Sequence, residues 1–529
     1  MASLTFYGGV DEIGGSKILL EDGNTSLFFD FGISYKARGR YYEEFLNPRT
    51  GAGLRDLLEM GLLPPLKGIY RQDLLQPEDW QHFAGRPHLK DSFRKIKADA
   101  VILSHAHFDH SGYISALRED IPIVASLVTA VISKAIQDTS KTDFEKEVVY
   151  TSRRELVDGV YQAAKKTSAR QRPFRIFSEN GIPKEVQEFW GDIPASKGLS
   201  SCPMELAGKI CSLPVKQFDV DHSILGASAF AVETGAGWIC YTGDLRMHGS
   251  GAHSTRAFAE QTAELHPRVL ICEGTRIDKA DHTTEEEVYE KALKAVRATK
   301  GLVLADFGPR NIERLLIFYR IAMATSRRLV VMGKDAYLLD KLSLVMPEVP
   351  AIERMPALSI YREPRARMDT WEKDLRTAFA SRLVGPKEIR KHQADFILCF
   401  SFWDVNDLVD LLPESGAYIY SSSEVYDEEG AIDMKHLHDW ADHFKLAKVG
   451  LPVQVTSADG GVKWEVPAEQ QGLHASGHAG GPELIELIRL IRPEILIPVH
   501  TEDAAKFVTA LKGTGIDVHL PEYGKEMNI

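Results

Sequence analysis

The stretch SHAHFDHSGY (104–113) places His105, His107, Asp109 and His110 within six positions, directly after the apolar run ADAVIL. Alternate residues leaving a strand point the same way, so His105 and His107 can share one direction. Asp109 and His110 can then reach a neighbouring position across the turn, and one loop can serve two metal ions. Imidazole nitrogen and carboxylate oxygen suit Zn²⁺ or another divalent first-row ion, and no thiolate is present to demand a softer one. A closed site needs more ligands, and three later strand ends supply them. His222 follows VKQFDV, Asp244 stands in YTGDLR after GWICYTG, and His500 follows EILIP in IPVHTE. Together these complete a two-metal set.

The elements that must position these residues are short apolar runs ending in Gly, Asp or His. SLTFYG, KILLE, SLFFDFG, DAVILSH, IPIVAS, VKQFDV, ASAFAVE, GWICYTGD and RVLICEG read as strands. From Thr283 helix and strand patterns alternate, in TTEEEVYEKALKAVRA, GLVLADF, NIERLLIFYRIA, RRLVVMG, AYLLDKLSLVM and ADFILCF, the signature of a doubly wound α/β unit. After about Leu451 the chain returns to strand and loop through HASGHAGG, the helix PELIELIRLI, the strand EILIPVH and a last helix near DAAKFVTALK. The expected division is a first domain in two parts, 1–274 and 451–529, with an α/β domain inserted at 275–450. The stretches 36–95 and 139–203 lack long periodic runs and are expected to be surface insertions.

Composition limits the function classes. The chain has 529 residues, of which 26% are charged and 44% hydrophobic, values of a soluble globular protein with room for two or more domains. No apolar run approaches the roughly 18 residues that cross a bilayer. The start MASLTFYGGV lacks the regions of a signal peptide, so a cytoplasmic protein without membrane contact is expected. Five scattered cysteines (Cys202, Cys211, Cys240, Cys272, Cys399) form no CxxC pair and read as buried free thiols. A net charge of −12 argues against a histone-like nucleic-acid binder but leaves room for a local basic groove.

With HxHxDH, a later His, an Asp in a GD turn and a last His, the chain resembles the metallo-β-lactamase superfamily. The resemblance implies an αββα sandwich with an inserted α/β domain. It assigns His105, His107 and His222 to one ion and Asp109, His110 and His500 to the other, with Asp244 bridging them. Asp30 in FFDFG matches the strand-end aspartate that supports the ligand loop. Within the superfamily, Glu273 in LICEGT, His478 in HASGHAGG and His500 match the three extra motifs of the β-CASP nucleases. HASGHA followed by a helix and IPVHTE is similar to ribonuclease J and to RNA 3′-end processing endonucleases. A histidine rather than valine at position 500 favours RNA over DNA.

The chemistry implied is hydrolysis of RNA phosphodiester bonds with two Zn²⁺, or Mn²⁺ in their place, holding a bridging hydroxide whose parent water has a pKa near ~7. His478 is the expected general acid for the leaving oxygen, Glu273 holds its ring, and Asp109 can accept a proton. His474 and Ser476 are candidates to bind the scissile phosphate. From the inserted domain, Arg310 and Arg314 near a helix start and Ser421 in the run Ser421, Ser422, Ser423 are candidate substrate contacts, with a polar turn or solvated face as the alternative. The basic stretch AAKKTSARQRPFRIF, with Lys165, Lys166, Arg170, Arg172 and Arg175, can pair with phosphates or form an exposed charged face.

The chain departs from ribonuclease J in having only TEDAAKFVTALKGTGIDVHLPEYGKEMNI after His500, too little for a separate C-terminal domain. Single-stranded RNA is the expected partner, with DNA less favoured. The alternative function is a metallo-hydrolase of a small ester, thioester or phosphodiester. Direction of cutting, native metal and assembly state stay open.

Overall fold

Alternation along the strand Ile18–Asp22 sets the layering: Ile18 and Leu20 enter one core and Leu19 another. The computed structural model describes residues 2–43, 45–141, 143–178, 181–194, 198–280, 283–422, 428–456 and 462–529. In the first sheet, of eight strands, Ala2–Phe6, Ile18–Asp22 and Thr25–Phe29 pair antiparallel, and Ala100–Ile102, Ile123–Ser126 and Phe174–Phe177 continue from Thr25–Phe29 in parallel. A second sheet of seven strands is centred on Ser228–Thr234, Gly237–Tyr241, Val269–Glu273 and Ile495–Val499. The two sheets meet face to face. Phe6, Leu20, Phe29 and Ile102 of the first pack with Phe230, Ile239, Ile271 and Ile497 of the second.

Each sheet has a helical layer on its outer face. The helices Ala252–Glu264 and Gly481–Ile491 cover Ala231, Cys240, Leu270 and Leu496 of the second sheet through Phe258, Leu484, Leu487 and Ile488. This is an αββα sandwich, as the resemblance implies.

A third sheet of seven strands is parallel throughout, and all its strands lie between Leu302 and Val449. Its inner strands are buried on both faces, which is why GLVLAD and RRLVV read as continuous apolar runs. Val303 and Val331 face the helices Glu285–Ala298 and Ile312–Ala324, while Leu304 and Val330 face Met434 and Leu437 of Glu428–His443. Thr284 and Glu287 form a capping box on the first of these helices, and the Asn311 side chain caps the second by accepting from Arg314 N. The strand Val269–Glu273 before this layer pairs in parallel with Ile495–Val499 after it, so the second sheet closes across the intervening chain.

The stretches 36–95 and 139–203 are not surface insertions. Leu54, Leu57, Leu58, Leu63, Leu66 and Leu74 are fully buried on the outer face of the first sheet, and Phe174–Phe177 is one of its strands. Arg71 is buried between the two stretches and donates to Asp73 and Glu147. The helices here, such as Arg55–Glu59 and Pro77–Ala84, are too short to develop a 3.6-residue period. Arg172 in the basic stretch is likewise buried and donates to the carbonyls of Ile114, Leu117 and Arg118, so it is unavailable to phosphate. Of the five free cysteines, Cys240, Cys272 and Cys399 are buried, whereas Cys211 is exposed. Among the described residues no helix is long and apolar enough to cross a membrane.

Candidate metal centre

The ligand-type residues come from the same ends of strands in both facing sheets. His105 follows Ala100–Ile102, and Asp109 and His110 lie on the single-turn helix Phe108–Ser111. His222, Asp244 and His500 follow Leu213–Asp219, Gly237–Tyr241 and Ile495–Val499. The loop carrying Asp109 is pinned to the 30–33 segment by Phe31 N to His110 O (2.8 Å) and Ile33 N to Phe108 O (2.9 Å). The fit requires glycine: a Cβ on Gly32 would lie 1.7 Å from the Asp109 carbonyl oxygen, and one on Gly14 (φ +81°) 2.8 Å from Asp109 Cβ.

Among the described residues four overlapping groups have ligand atoms within 4.8 Å of one another: His105, His107 and His222; Asp109, His110, Asp244 and His500; and two that include His478, with His222 and Asp244 and with Glu273 and His500. Asp244 Oδ2 lies between the first two, 3.1 Å from His110 Nε2, 3.7 Å from His105 and His500 Nε2, and 3.8 Å from His222 Nε2. His107 Nδ1 is 3.1 Å from His105 Nε2 and 3.2 Å from His222 Nε2. Ligands about 2.0–2.1 Å from a tetrahedral ion are separated by roughly 3.3 Å, so these spacings are those of one coordination sphere.

Hydrogen bonds behind the rings fix which nitrogen faces the cluster. Asp30, held at φ +56°, accepts from His110 Nδ1, Ser104 Oγ, Tyr241 OH and Ser104 N, all at 2.7 Å. Because the Ser104 hydroxyl is committed to Asp30, it accepts from His105 Nδ1 at 3.0 Å. His222 Nδ1 donates to the Gly477 carbonyl, and His500 Nδ1 lies 2.8 Å from Thr275 Oγ1. Each arrangement turns an Nε2 lone pair inward. Burial holds His105 and His222 well below the usual imidazole range and pulls His107 down to about 4, so these rings are neutral, the form that ligates. His110 Nε2 and Asp244 Oδ1 are buried without a hydrogen-bond partner. Polar atoms left so are costly unless a cation completes them, and the donor set fits divalent metal.

His478 and Glu273 border the cluster. His478 Nδ1 is 3.1 Å from Glu273 Oε1, and the ring stacks 5.7 Å from that of His500. Burial opposes charge on His478, but Glu273 and Asp244 outweigh it and raise the ring to about 9. The side chains of His478 and Asp109 are 20% and 21% exposed, against 2% or less for His105, His110, His222, Asp244 and His500, so these two are within reach of an incoming molecule. Ser476 Oγ accepts from His478 N at 3.1 Å and shapes the loop.

Three expected substrate contacts are placed differently. Arg314 is fully buried and donates to Glu285 at 2.9 and 3.0 Å, to the Ser421 carbonyl at 2.7 Å and to Ser421 Oγ. Ser421 is buried too, and its hydroxyl donates to the Leu473 carbonyl. Arg314 and Ser421 therefore brace the 473–478 loop instead of lining an open groove, because a buried guanidinium needs a carboxylate and Glu285 provides it. Ser423 lies outside the described residues. His474 Nδ1 donates to the Ser421 carbonyl at 3.3 Å, and burial with the nearby Arg314 charge lowers it to about 3, a neutral ring. Arg310 stays partly exposed, its guanidinium 4.2 Å from the Phe108 ring centroid.

Ser104, Tyr241 and Thr275 were not expected in the site. Ser104 directly precedes His105, Thr275 lies two residues after Glu273 and Tyr241 three before Asp244, in LSHAH, CEGT and CYTGD, and that nearness is the one signal the sequence carries for them.

Known proteins resemble this chain in sequence over most of its length. A family described as the Zn-dependent metallo-hydrolase RNA specificity domain matches residues 465–521, which hold His474, Ser476, His478 and His500. Ribonuclease J of Mycolicibacterium smegmatis is 22% identical over 519 residues, covering 94% of this chain and 68% of that protein. Ribonuclease J of Helicobacter pylori is 20% identical over 98% of this chain, which spans 58% of its length. Ribonuclease J of Pyrococcus abyssi is 20% identical, covering 95% of this chain and 90% of that one. A solved structure of a protein of unknown function from Enterococcus faecalis matches with a TM-score of 0.65 at 20% identity, covering 99% of both chains.

Proposed function

We propose that this chain, which is ribonuclease J-like and of the β-CASP branch of the metallo-β-lactamase superfamily, is a metal-dependent ribonuclease that hydrolyses RNA phosphodiester bonds. The observation that carries the reading is the pair of ligand groups sharing Asp244, with the His478–Glu273 pair at their rim, inside a chain similar to ribonuclease J over nearly its whole length. Two ions are proposed, one on His105, His107 and His222, the other on Asp109, His110 and His500, with Asp244 between. Divalent ions held there would neutralise phosphate charge and acidify an attacking water.

The chain's own residues do the rest. His478, charged beside Glu273 and partly exposed at the edge of the cluster, can protonate the leaving ribose oxygen, which would otherwise depart as a strongly basic alkoxide. Glu273 holds the ring through Nδ1 and so aims the proton. Asp109, reachable at the same rim, can accept the proton of the attacking water. Ser476 is proposed to face the scissile phosphate, while His474 is turned to the Ser421 carbonyl. The domain division 1–274, 275–450 and 451–529 belongs to this proposal, with the third sheet closing over the metal edge of the sandwich, and so do the soluble, cytoplasmic setting and single-stranded RNA as partner.

The test uses metal-loaded protein with labelled single-stranded RNA, matched DNA and a chromogenic small ester. Cleavage of RNA with DNA spared is expected. Intact RNA beside rapid turnover of the ester would overturn the reading in favour of a small-molecule hydrolase.

A further inference from the structure

Phe108 sits between two candidate ligands, His107 and Asp109, at the start of the helix Phe108–Ser111, and the Arg310 charge that lies against its ring acts on both neighbours. Two cations from distant parts of the chain lie against it. The Arg310 guanidinium carbon is 4.2 Å from the ring centroid and Lys146 Nζ is 4.3 Å from it. Arg310 comes from the loop between the strand Leu302–Asp306 and the helix Ile312–Ala324, and Lys146 ends the short helix Phe144–Lys146.

Neither cation is neutralised. Among the described residues no carboxylate lies within ion-pair distance of Arg310 or Lys146. The adjacent acid, Glu145, is taken by Arg38 at 2.7 Å. Asp143 and Asp109 act on the pair only at longer range, and the Lys146 pKa is lowered by desolvation, which outweighs the attraction of Glu145, with weaker repulsion from Arg310 and Arg38. An aromatic face offsets only part of a cation's lost hydration. Two like charges held together, partly buried and without a counter-charge, are poised for an anion. Elsewhere in this chain buried arginines carry carboxylates or stacked carbonyl acceptors, as Arg71, Arg246 and Arg314 do.

We propose that Arg310 and Lys146, positioned by the Phe108 ring, form a two-cation clamp for a backbone phosphate of the RNA strand next to the scissile one. This rests on the ribonuclease reading and adds to it the groups that hold the neighbouring nucleotide. A clamp drawn from two separate segments is absent until both are docked on the metal loop.

The test measures binding of a fluorescent single-stranded oligoribonucleotide by anisotropy, on full-length metal-loaded His478→Ala protein to prevent turnover. It is repeated with Arg310→Ala, Lys146→Ala, Arg310→Lys and Lys146→Arg added, across a salt series. Each alanine variant is expected to weaken binding about tenfold. Each should also reduce the slope of log affinity against log salt, the two together by about 0.7, the contribution of one phosphate contact to a single strand, while the charge-conserving variants keep the slope. Unchanged affinity and slope in both alanine variants would overturn the clamp. Weaker binding with an unchanged slope would also overturn it, showing that the side chains only support the Phe108 loop. If the parent His478→Ala protein itself fails to bind RNA, the ribonuclease reading falls, and the clamp with it.

Discussion

His478 Nδ1 lies 3.1 Å from Glu273 Oε1 across 205 residues of sequence, and the carboxylate is buried while the ring is partly open. One side of the imidazole is thus tethered and the other is free to transfer a proton. Replacing His478 by alanine should lower RNA cleavage by about 10²-fold or more, the usual loss for a general acid, and leave bound metal unchanged. Glu273→Gln keeps the tether but removes the charge that raises the ring, so it should cost less. Full cleavage by His478→Ala in single-turnover assays would end the general-acid assignment.

Asp244 Oδ2 lies within 3.8 Å of four imidazole nitrogens. Metal analysis of purified Asp244→Ala should find less metal than in any other single ligand variant. Asp109→Ala should lose ion chiefly from the group of His110 and His500 and should lose activity with it. Equal metal loss in the two variants would contradict a shared position for Asp244.

Arg314 and Arg246 both bond to Glu285, and Arg246 also reaches Glu313 and Asp221, so one buried network ties the second sheet, the third layer and the 473–478 loop together. Removing one partner leaves charge buried and uncompensated. Arg314→Ala should destabilise the protein by about 3–5 kcal/mol. Calorimetric unfolding that stays within 1 kcal/mol of the parent, an order-of-magnitude margin for an exposed site, would show that the network is dispensable.

Burial pushes the Asp306 carboxyl up from 3.8 to about 7, despite the hydrogen bond it accepts from Tyr418 OH at 2.6 Å. In the fold it keeps a proton that the unfolded chain has already released. Stability from this group is therefore fully present below about pH 4, falls as pH rises, and is lost above about pH 7. Asp306→Asn, which cannot ionise, should show a flatter stability profile over that window and exceed the parent at pH 8 in denaturant titrations. Parallel profiles for the two proteins would contradict the assignment.

The candidate metal ligands could be read from the sequence because they follow the ends of apolar strands and four are crowded into one loop, so chemistry and local structure share a signal. The αββα layering came from the resemblance carried by the ligand motifs, whereas the α/β third layer was legible in continuous apolar runs such as GLVLAD. Burial that depends on distant partners was not. Leu54 to Leu74 build core from helices of one or two turns, and Arg314 and Ser421 look like phosphate contacts until Glu285 and Leu473 are brought beside them. Arg310, directly before the Asn311 cap, is half-buried against the Phe108 ring, where no carboxylate among the described residues pairs with it.

The central claim is most directly tested by titrating metal-free protein with Zn²⁺ or Mn²⁺ while following cleavage of labelled single-stranded RNA. Activity should be absent without metal, rise with added ion and level off at two equivalents per chain. Cleavage that is independent of metal, or no cleavage from protein shown to hold two ions, would contradict it.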